Sequence, residues 1–354
     1  DAFVVDLGPL TAAAVASLTG RADDRQRRMV RDYTEALAVK ARLGPEVYAD
    51  PDATVARTCP RDEVLSTPDL TLTRYQRPAD RPSQGEPVLI VYSVINRSYI
   101  LDLLPGGSFV RHLLDADLDV FLVEWAPIDP ADGDRTLDRA LGTSLPACLD
   151  RIEELTGHRR VALFGHCIGG TFAAIVAAQH PERIGRLLLL TTPFRSADEG
   201  VVSWLTDPAR FPVAEIVSQH GRMPAKLIRH TFLGLKPYYE LTKWRLFIDT
   251  LGDDEARAPF AALDRWSNDN VDVPAEVFRP FVQDVLQSER LLRGAMRVAG
   301  EPVDLGRIAC PVLNVFGKND WIVRPDAAKA VAGALGDAAE LEELELPGGH
   351  LSLL

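Results

Sequence analysis

One stretch decides the fold: Val161-Ala162-Leu163-Phe164-Gly165-His166-Cys167-Ile168-Gly169-Gly170-Thr171-Phe172-Ala173-Ala174-Ile175-Val176. Its first four residues are a short apolar run of strand type, and residues 171–180 read as a helix. Between them, small residues stand on both sides of a single cysteine. This is the strand–turn–helix setting of a nucleophile elbow, with Cys167 where serine is usual. The glycines let strand and helix approach closely. The free N–H groups that open the helix favour a thiolate at its start. The competing reading is a buried cysteine in a close-packed glycine turn; the flanking strand and helix favour the nucleophile.

On either side of this stretch, runs at 88–92, 120–125, 187–190, 312–316 and 341–346 read as strands, several of them apolar enough to be buried on both faces. Helical stretches at 109–115, 146–155, 171–180 and 326–335 lie between or beside them. Residues 70–75 alternate in polarity, and the turn at 80–86, with Pro82 and Gly85, predicts a hairpin with 88–92. Residues 50–63 read as a polar connection. Residues 21–43 read as a surface helix through Met29, Tyr33, Ala36 and Leu37. Strand alternating with helix implies a mainly parallel α/β sheet with helices on both faces. The alternation stops over 193–304, which is helical in pattern and rich in aromatics such as Trp204, Phe232, Tyr238, Tyr239, Trp244 and Phe247. That span is too long for a sheet connection and reads as an inserted, mostly helical cap. The expected organisation is an α/β-hydrolase core over 1–192, the cap over 193–304, and the rest of the core over 305–354.

A thiol nucleophile needs a base, and the base needs an orienting group. In an α/β-hydrolase these follow the nucleophile as acid, then histidine. The run 312–316 leads into Gly317-Lys318-Asn319-Asp320, and the run 341–346 into Pro347-Gly348-Gly349-His350. Asp320 and His350 thus each sit just past a strand end. Taken singly, Asp320 is a turn-capping aspartate and His350 a loop histidine; together they complete a Cys167–His350–Asp320 triad. His166 precedes the nucleophile and is not expected to be the base. His112, His158 and His180 lie beside helices, and His220 and His230 fall in the cap. An oxyanion hole needs two N–H donors. The backbone of Ile168 supplies one, and the loop after 88–92, near Ile95 and Asn96, supplies the other. The plain alternative is that Asn96 and Arg97 only make a turn.

The chain has 354 residues, 46% hydrophobic and 25% charged, so disorder throughout is excluded. A net charge of −12 leaves no basic footprint for nucleic acid. Cys59, Cys148, Cys167 and Cys310 lie far apart without a CxxC pair, which argues against a disulfide scaffold and for free thiols in a reducing compartment. No metal site is expected. No leader pattern stands at the start, and the apolar stretch 161–178 is broken by Gly165, His166, Gly169 and Gly170, so no transmembrane segment is expected. A cytoplasmic protein is the resulting expectation. Asp1 is no initiator, and a hydrolase core ordinarily packs a helix after its histidine loop. Chain is therefore expected before Asp1; beyond Leu354, either a tail follows or the protein is unusual in lacking that helix.

These residues resemble the polyhydroxyalkanoate synthases, and most of all the short catalytic subunits of class III. Ile95-Asn96-Arg97 with Tyr99-Ile100-Leu101-Asp102-Leu103 is similar to that family's block after the oxyanion strand. Gly165-His166-Cys167-Ile168-Gly169-Gly170-Thr171 is similar to its cysteine lipase box. Cys310-Pro311-Val312-Leu313-Asn314 leading to Asp320, and Pro347-Gly348-Gly349-His350, are similar to its acid and histidine segments. Leu235-Lys236-Pro237-Tyr238, Trp266 and Phe278-Arg279 resemble cap positions. Ile168 departs from the Gln of class III, Trp321 from a common His, and Arg324-Pro325 from Pro-Pro. Pro146 lies in a segment relatives run as helix, so that helix is expected to start there. The resemblance implies polymerisation of (R)-3-hydroxyacyl-CoA, such as 3-hydroxybutyryl-CoA, with release of CoA, through an acyl group on Cys167. It implies no cofactor beyond the CoA that the substrate carries. It implies a growing polyester chain as second substrate, a homodimer, a second dissimilar subunit, and residence at a polyester granule surface. The alternatives are a thioesterase or esterase using the same three residues, and a non-catalytic granule subunit.

Overall fold

The computed structural model describes residues 57–77, 82–128, 135–199, 201–235, 243 and 254–354, with short stretches between 20 and 38. Eight strands form one sheet: β1 (Arg61–Ser66), β2 (Leu70–Tyr75), β3 (Val88–Val91), β4 (Val120–Trp125), β5 (Val161–His166), β6 (Ile184–Leu190), β7 (Val312–Gly317) and β8 (Leu341–Leu346). Their order is β1-β2-β4-β3-β5-β6-β7-β8. Strands β3 to β8 run parallel, and β1 and β2 are antiparallel additions at one edge. Helices α1 (Phe109–Asp115), α2 (Leu145–Thr156) and α3 (Ile168–Gln179) follow β3, β4 and β5.

The hairpin differs from the sequence expectation. Strand β2 turns back onto β1, not onto 88–92. The turn closes through Thr67, whose hydroxyl accepts from the Leu70 N–H at 3.1 Å. Strand β1 lay hidden in the polar connection because it is a sheet edge, where charged residues such as Arg61, Asp62 and Glu63 face water and discourage further pairing. Strand β3 is inserted between β4 and β5, and all four of its residues are buried. Helix α2 also differs, because helical structure begins upstream of Pro146. Leu137–Arg139 is α-helical and Ala140–Ser144 forms a π-turn that runs into α2. A proline cannot donate to the carbonyl four residues back and crowds it; the wider π-turn accommodates that loss.

Residues 193–304 add nothing to the large sheet among the described residues. They supply helices Val201–Thr206, Val213–His220, Ala225–Leu235, Asp254–Asn268 and Ala275–Pro280, a π-turn at Phe281–Gln287, and two short strand pairs. Lys236, Pro237, Tyr238, Tyr239, Trp244 and Phe247 lie outside the described residues, as do Met29, Tyr33, Ala36 and Leu37 of the expected surface helix. The chain forms two compact units. One joins 57–228 to 269–354 and holds the sheet; the other joins 1–56 to 229–268. No described helix is long and apolar enough to cross a membrane.

Candidate active site

Strand β5 ends at His166 and helix α3 begins at Ile168, so Cys167 alone makes the turn. Its backbone sits at φ 54° and ψ −128°, a region that costs a non-glycine residue about 1–3 kcal/mol. Neighbouring bonds hold it there. The Cys167 N–H donates to Leu190 O at 3.0 Å, and the Gly170 N–H donates to Cys167 O at 2.9 Å. The glycines are demanded by close approach. A Cβ on Gly165 would lie 2.3 Å from Gly170 Cα, one on Gly169 2.2 Å from Val91 O, and one on Gly170 1.9 Å from Thr192 Oγ1. The start of α3 is thus wedged between the ends of β3 and β6.

Asp320 follows β7 and His350 follows β8, both buried. The two loops are stitched together: Lys318 N–H donates to Leu346 O and Asn319 N–H to Gly348 O, each at 2.9 Å. Asp320 Oδ1 accepts from the N–H groups of Ile322 and Val323, both at 2.9 Å, which fixes the carboxylate. Its other oxygen, Oδ2, lies 2.8 Å from His350 Nδ1. Cys167 stands close enough to act on the charge of that imidazole. Burial alone would lower the His350 pKa. The electrostatic interaction with Cys167, the hydrogen bond to Asp320 and the Asp320 charge outweigh it and raise the group to about 10. Of the three residues nominated from sequence, Asp320 and His350 are hydrogen bonded to each other, and Cys167 is near enough to shift the imidazole.

The other three cysteines have no such surroundings. All are buried, and burial pushes the Cys148 thiol up to about 12 and raises those of Cys59 and Cys310. His166 is buried beside the triad, stacked on Tyr92 with ring centroids 5.0 Å apart, and 5.3 Å from the His350 ring. Neither of its nitrogens has a hydrogen-bond partner among the described residues. Burial, and then the His350 charge, hold its pKa well below the usual value, so the ring is neutral. Its ring lies against that of His350.

Ile168 is the first residue of α3, and its backbone stands directly after Cys167. Ile95 and Asn96 lie in the loop leaving β3, whose end is pressed against Gly169. The Trp125 indole donates to Tyr92 O at 2.8 Å and steadies the entry to that loop. Tyr92, Thr191 and residues 269–271 also belong to this neighbourhood and escaped the sequence reading. Thr191 has one local signal in the structure, a φ of 46°, but nothing in its sequence context announces it.

Residues 102–354 match the family described as alpha/beta hydrolase fold. The PhaC subunit of the poly(3-hydroxyalkanoate) polymerase of Allochromatium vinosum is 34% identical over 335 residues, covering 93% of this chain and 92% of that protein. The PhaC subunit of Thiocystis violacea is 32% identical over 334 residues, with the same coverage of 93% and 92%. Among solved structures, a bacterial membrane phospholipase A matches with a TM-score of 0.51 at 16% identity, over 92% of this chain and 93% of that one, a likeness of fold alone. The chain belongs to the poly(3-hydroxyalkanoate) polymerase family, within the α/β hydrolase fold.

Proposed function

We propose that this enzyme polymerises (R)-3-hydroxyacyl-CoA through an acyl group carried on Cys167, with His350 as base and Asp320 as its orienting acid. One observation carries the reading. A strained elbow cysteine acts electrostatically on a buried histidine that lies 2.8 Å from a buried aspartate. In the first step the Cys167 thiolate attacks the thioester carbonyl. The bond to CoA breaks, and the CoA sulfur takes the proton held by His350. In the second step the 3-hydroxyl of another acyl unit gives its proton to His350. Its oxygen attacks the acyl-Cys167 carbonyl, an ester forms, and the Cys167 thiolate is restored. A positioned base is typically worth about 10²–10⁴ in rate. The backbone N–H groups of Ile168 and of the Ile95–Asn96 loop receive the oxyanion in both steps.

A thiol suits this sequence of steps. Exchange of one thioester for another is nearly neutral, so the acyl group stays activated for the ester-forming step. Exclusion of water then decides between polymer and hydrolysis. In this reading residues 193–304 are the cap that provides the exclusion, between core segments 1–192 and 305–354. The reading also takes the enzyme as a cytoplasmic homodimer at a granule surface, with a second, dissimilar subunit; the named relatives are themselves subunits, which supports it. No cofactor is needed beyond the CoA of the substrate. The test is incubation with (R)-3-hydroxybutyryl-CoA, with thiol release and polymer measured together, with and without a candidate second subunit. Polymer and CoA in step, both lost in Cys167→Ala, support the reading. Stoichiometric free 3-hydroxybutyrate without oligomer in either condition makes the protein a thioesterase.

A further inference from the structure

We propose that Asp269 and Asn270 are positioning residues for the oxyanion loop, aiming the Asn96 N–H toward the carbonyl that Cys167 attacks. The inference rests on the thioester reading above. Its basis is a clamp between two segments far apart in sequence. The Val271 N–H donates to Ile95 O at 3.1 Å. Asn96 and Asn270 form an isolated antiparallel bridge, and the Asn270 side-chain amide donates to Asn96 Oδ1. The Tyr99 hydroxyl donates to Asp269 Oδ2 at 3.2 Å, and Arg97 Nε lies 3.7 Å from Asp269 Oδ1.

The pattern of this bridge fixes a direction. Because the bond runs from residue 271 to residue 95, the pair 96/270 is the non-hydrogen-bonded kind. The pairing therefore does not consume the Asn96 N–H. The Ile95 carbonyl and the Asn96 N–H belong to one planar trans peptide and point in opposite directions. Holding the carbonyl on Val271 thus turns the N–H away from 269–271. On the other flank, the end of β3 leans on Gly169 at the start of α3. The strand end that feeds the loop rests on the helix that carries the nucleophile, and the loop itself is held by the segment that aims its peptide. Arg97 and Asp269 are both well exposed, so their ion pair adds little stability by itself. What the clamp contributes is a preorganised donor, and such donors matter because they need not reorient as charge develops.

The test uses two reactions of Cys167 in the full chain carrying Asn270→Ala or Asp269→Asn. Acylation by (R)-3-hydroxybutyryl-CoA, followed as first-turnover CoA release, passes through an oxyanion. Alkylation by iodoacetamide, followed by mass mapping of the Cys167 peptide, does not. Loss of a whole oxyanion donor costs about 10²–10³, so a misaimed one should cost about 10–100-fold in acylation rate, with KM unchanged. Alkylation should stay at the wild-type rate. Equal loss in both reactions indicates general damage and overturns the inference, as does unchanged acylation. Wild-type protein that releases CoA without labelling Cys167 overturns the nucleophile reading itself, and this inference with it.

Discussion

The glycines at the start of α3 give the sharpest test of the elbow. In an ordinary helix, glycine to alanine stabilises by up to about 1 kcal/mol. Here the structure reverses the sign. An alanine Cβ at position 170 would stand 1.9 Å from Thr192 Oγ1, about 1.5 Å inside the 3.4 Å of ordinary contact. At position 169 it would stand 2.2 Å from Val91 O and 2.6 Å from Tyr92 O, both backbone atoms. Overpacking of this kind costs about 1–3 kcal/mol, which exceeds the helix gain. Gly170→Ala should therefore lower stability by about 1–2 kcal/mol net, and Gly169→Ala by more, because a carbonyl in a central strand cannot swing aside. Trimming the obstacle separates the two. Gly170→Ala with Thr192→Ala removes the two nearest atoms, Thr192 Oγ1 at 1.9 Å and Cγ2 at 2.7 Å, and should recover part of the loss, since Thr192 Cβ still stands at 2.8 Å. No side-chain trimming should rescue Gly169→Ala. Gly333→Ala, with nothing described within 4 Å, is the control and should be neutral or slightly stabilising. The measurements are the denaturant midpoint and the iodoacetamide rate at Cys167. A Gly169→Ala protein with wild-type midpoint and wild-type Cys167 reactivity would refute the close-packing argument.

Three further outcomes are expected. Cys167→Ala removes the electrostatic partner that helps raise His350, so the imidazole titration followed by NMR should move down from about 10; an unmoved titration would show that the two groups do not interact. In the intact enzyme this raised group adds stability below its unfolded value of 6.5, and that contribution fades as pH climbs through about 10. Asp320→Asn should lower CoA release at least about a hundredfold and also lower the melting temperature, because the buried His350 loses the partner that holds its proton; wild-type turnover would remove Asp320 from the mechanism. Asp69 is buried, and although burial alone would raise its pKa, bonds from Arg139 at 2.7 Å and Ser144 at 2.7 Å hold it below the usual value. Its contribution is thus present above the unfolded carboxylate pKa and lost as pH falls through the lower folded value. Asp69→Asn should cost about 3 kcal/mol in chemical denaturation, and an unchanged midpoint would show that the pair with Arg139 contributes nothing.

What could be read from the sequence was what is written locally. The elbow announces itself because glycines cluster where two backbones touch, and because an apolar strand stops and a helix starts on either side of Cys167. Asp320 and His350 are legible because each follows a strand by a short loop, although β8, unlike β7, is largely exposed. Strand order is not local. The insertion of β3 between β4 and β5, and the turn of β2 onto β1, depend on which edges meet, and 70–75 alternates in the same way whichever neighbour it finds. The clamp on Asn96 is less legible still, since its partner lies 174 residues away and is an ordinary Asp-Asn pair in the sequence. The early start of helical structure at Leu137 was masked by Pro146, whose usual meaning as a first-turn residue is overridden by a π-turn.

The strain at the nucleophile is carried by the rest of the fold. Across β5 and β6, His166 pairs with Leu190, so Cys167 and Thr191 are the next residues out, side by side. Both have positive φ, 54° and 46°, although neither is glycine and Thr191 is β-branched. Together they cost about 2–6 kcal/mol. The hydrogen bonds at the turn fix its direction, but each nets only about 1 kcal/mol. Helix α3 supplies more. Every residue from Ile168 to Ala178 is buried, so the helix has no solvent face. Burying Ile168, Phe172, Ile175 and Val176 alone contributes about 6–12 kcal/mol. That burial requires α3 to start where it does, wedged against Val91, Tyr92 and Thr192, and a helix starting there leaves one residue to make the turn. The strained turn that presents the thiol is therefore a consequence of core packing, which is why the same three glycines govern both stability and reactivity.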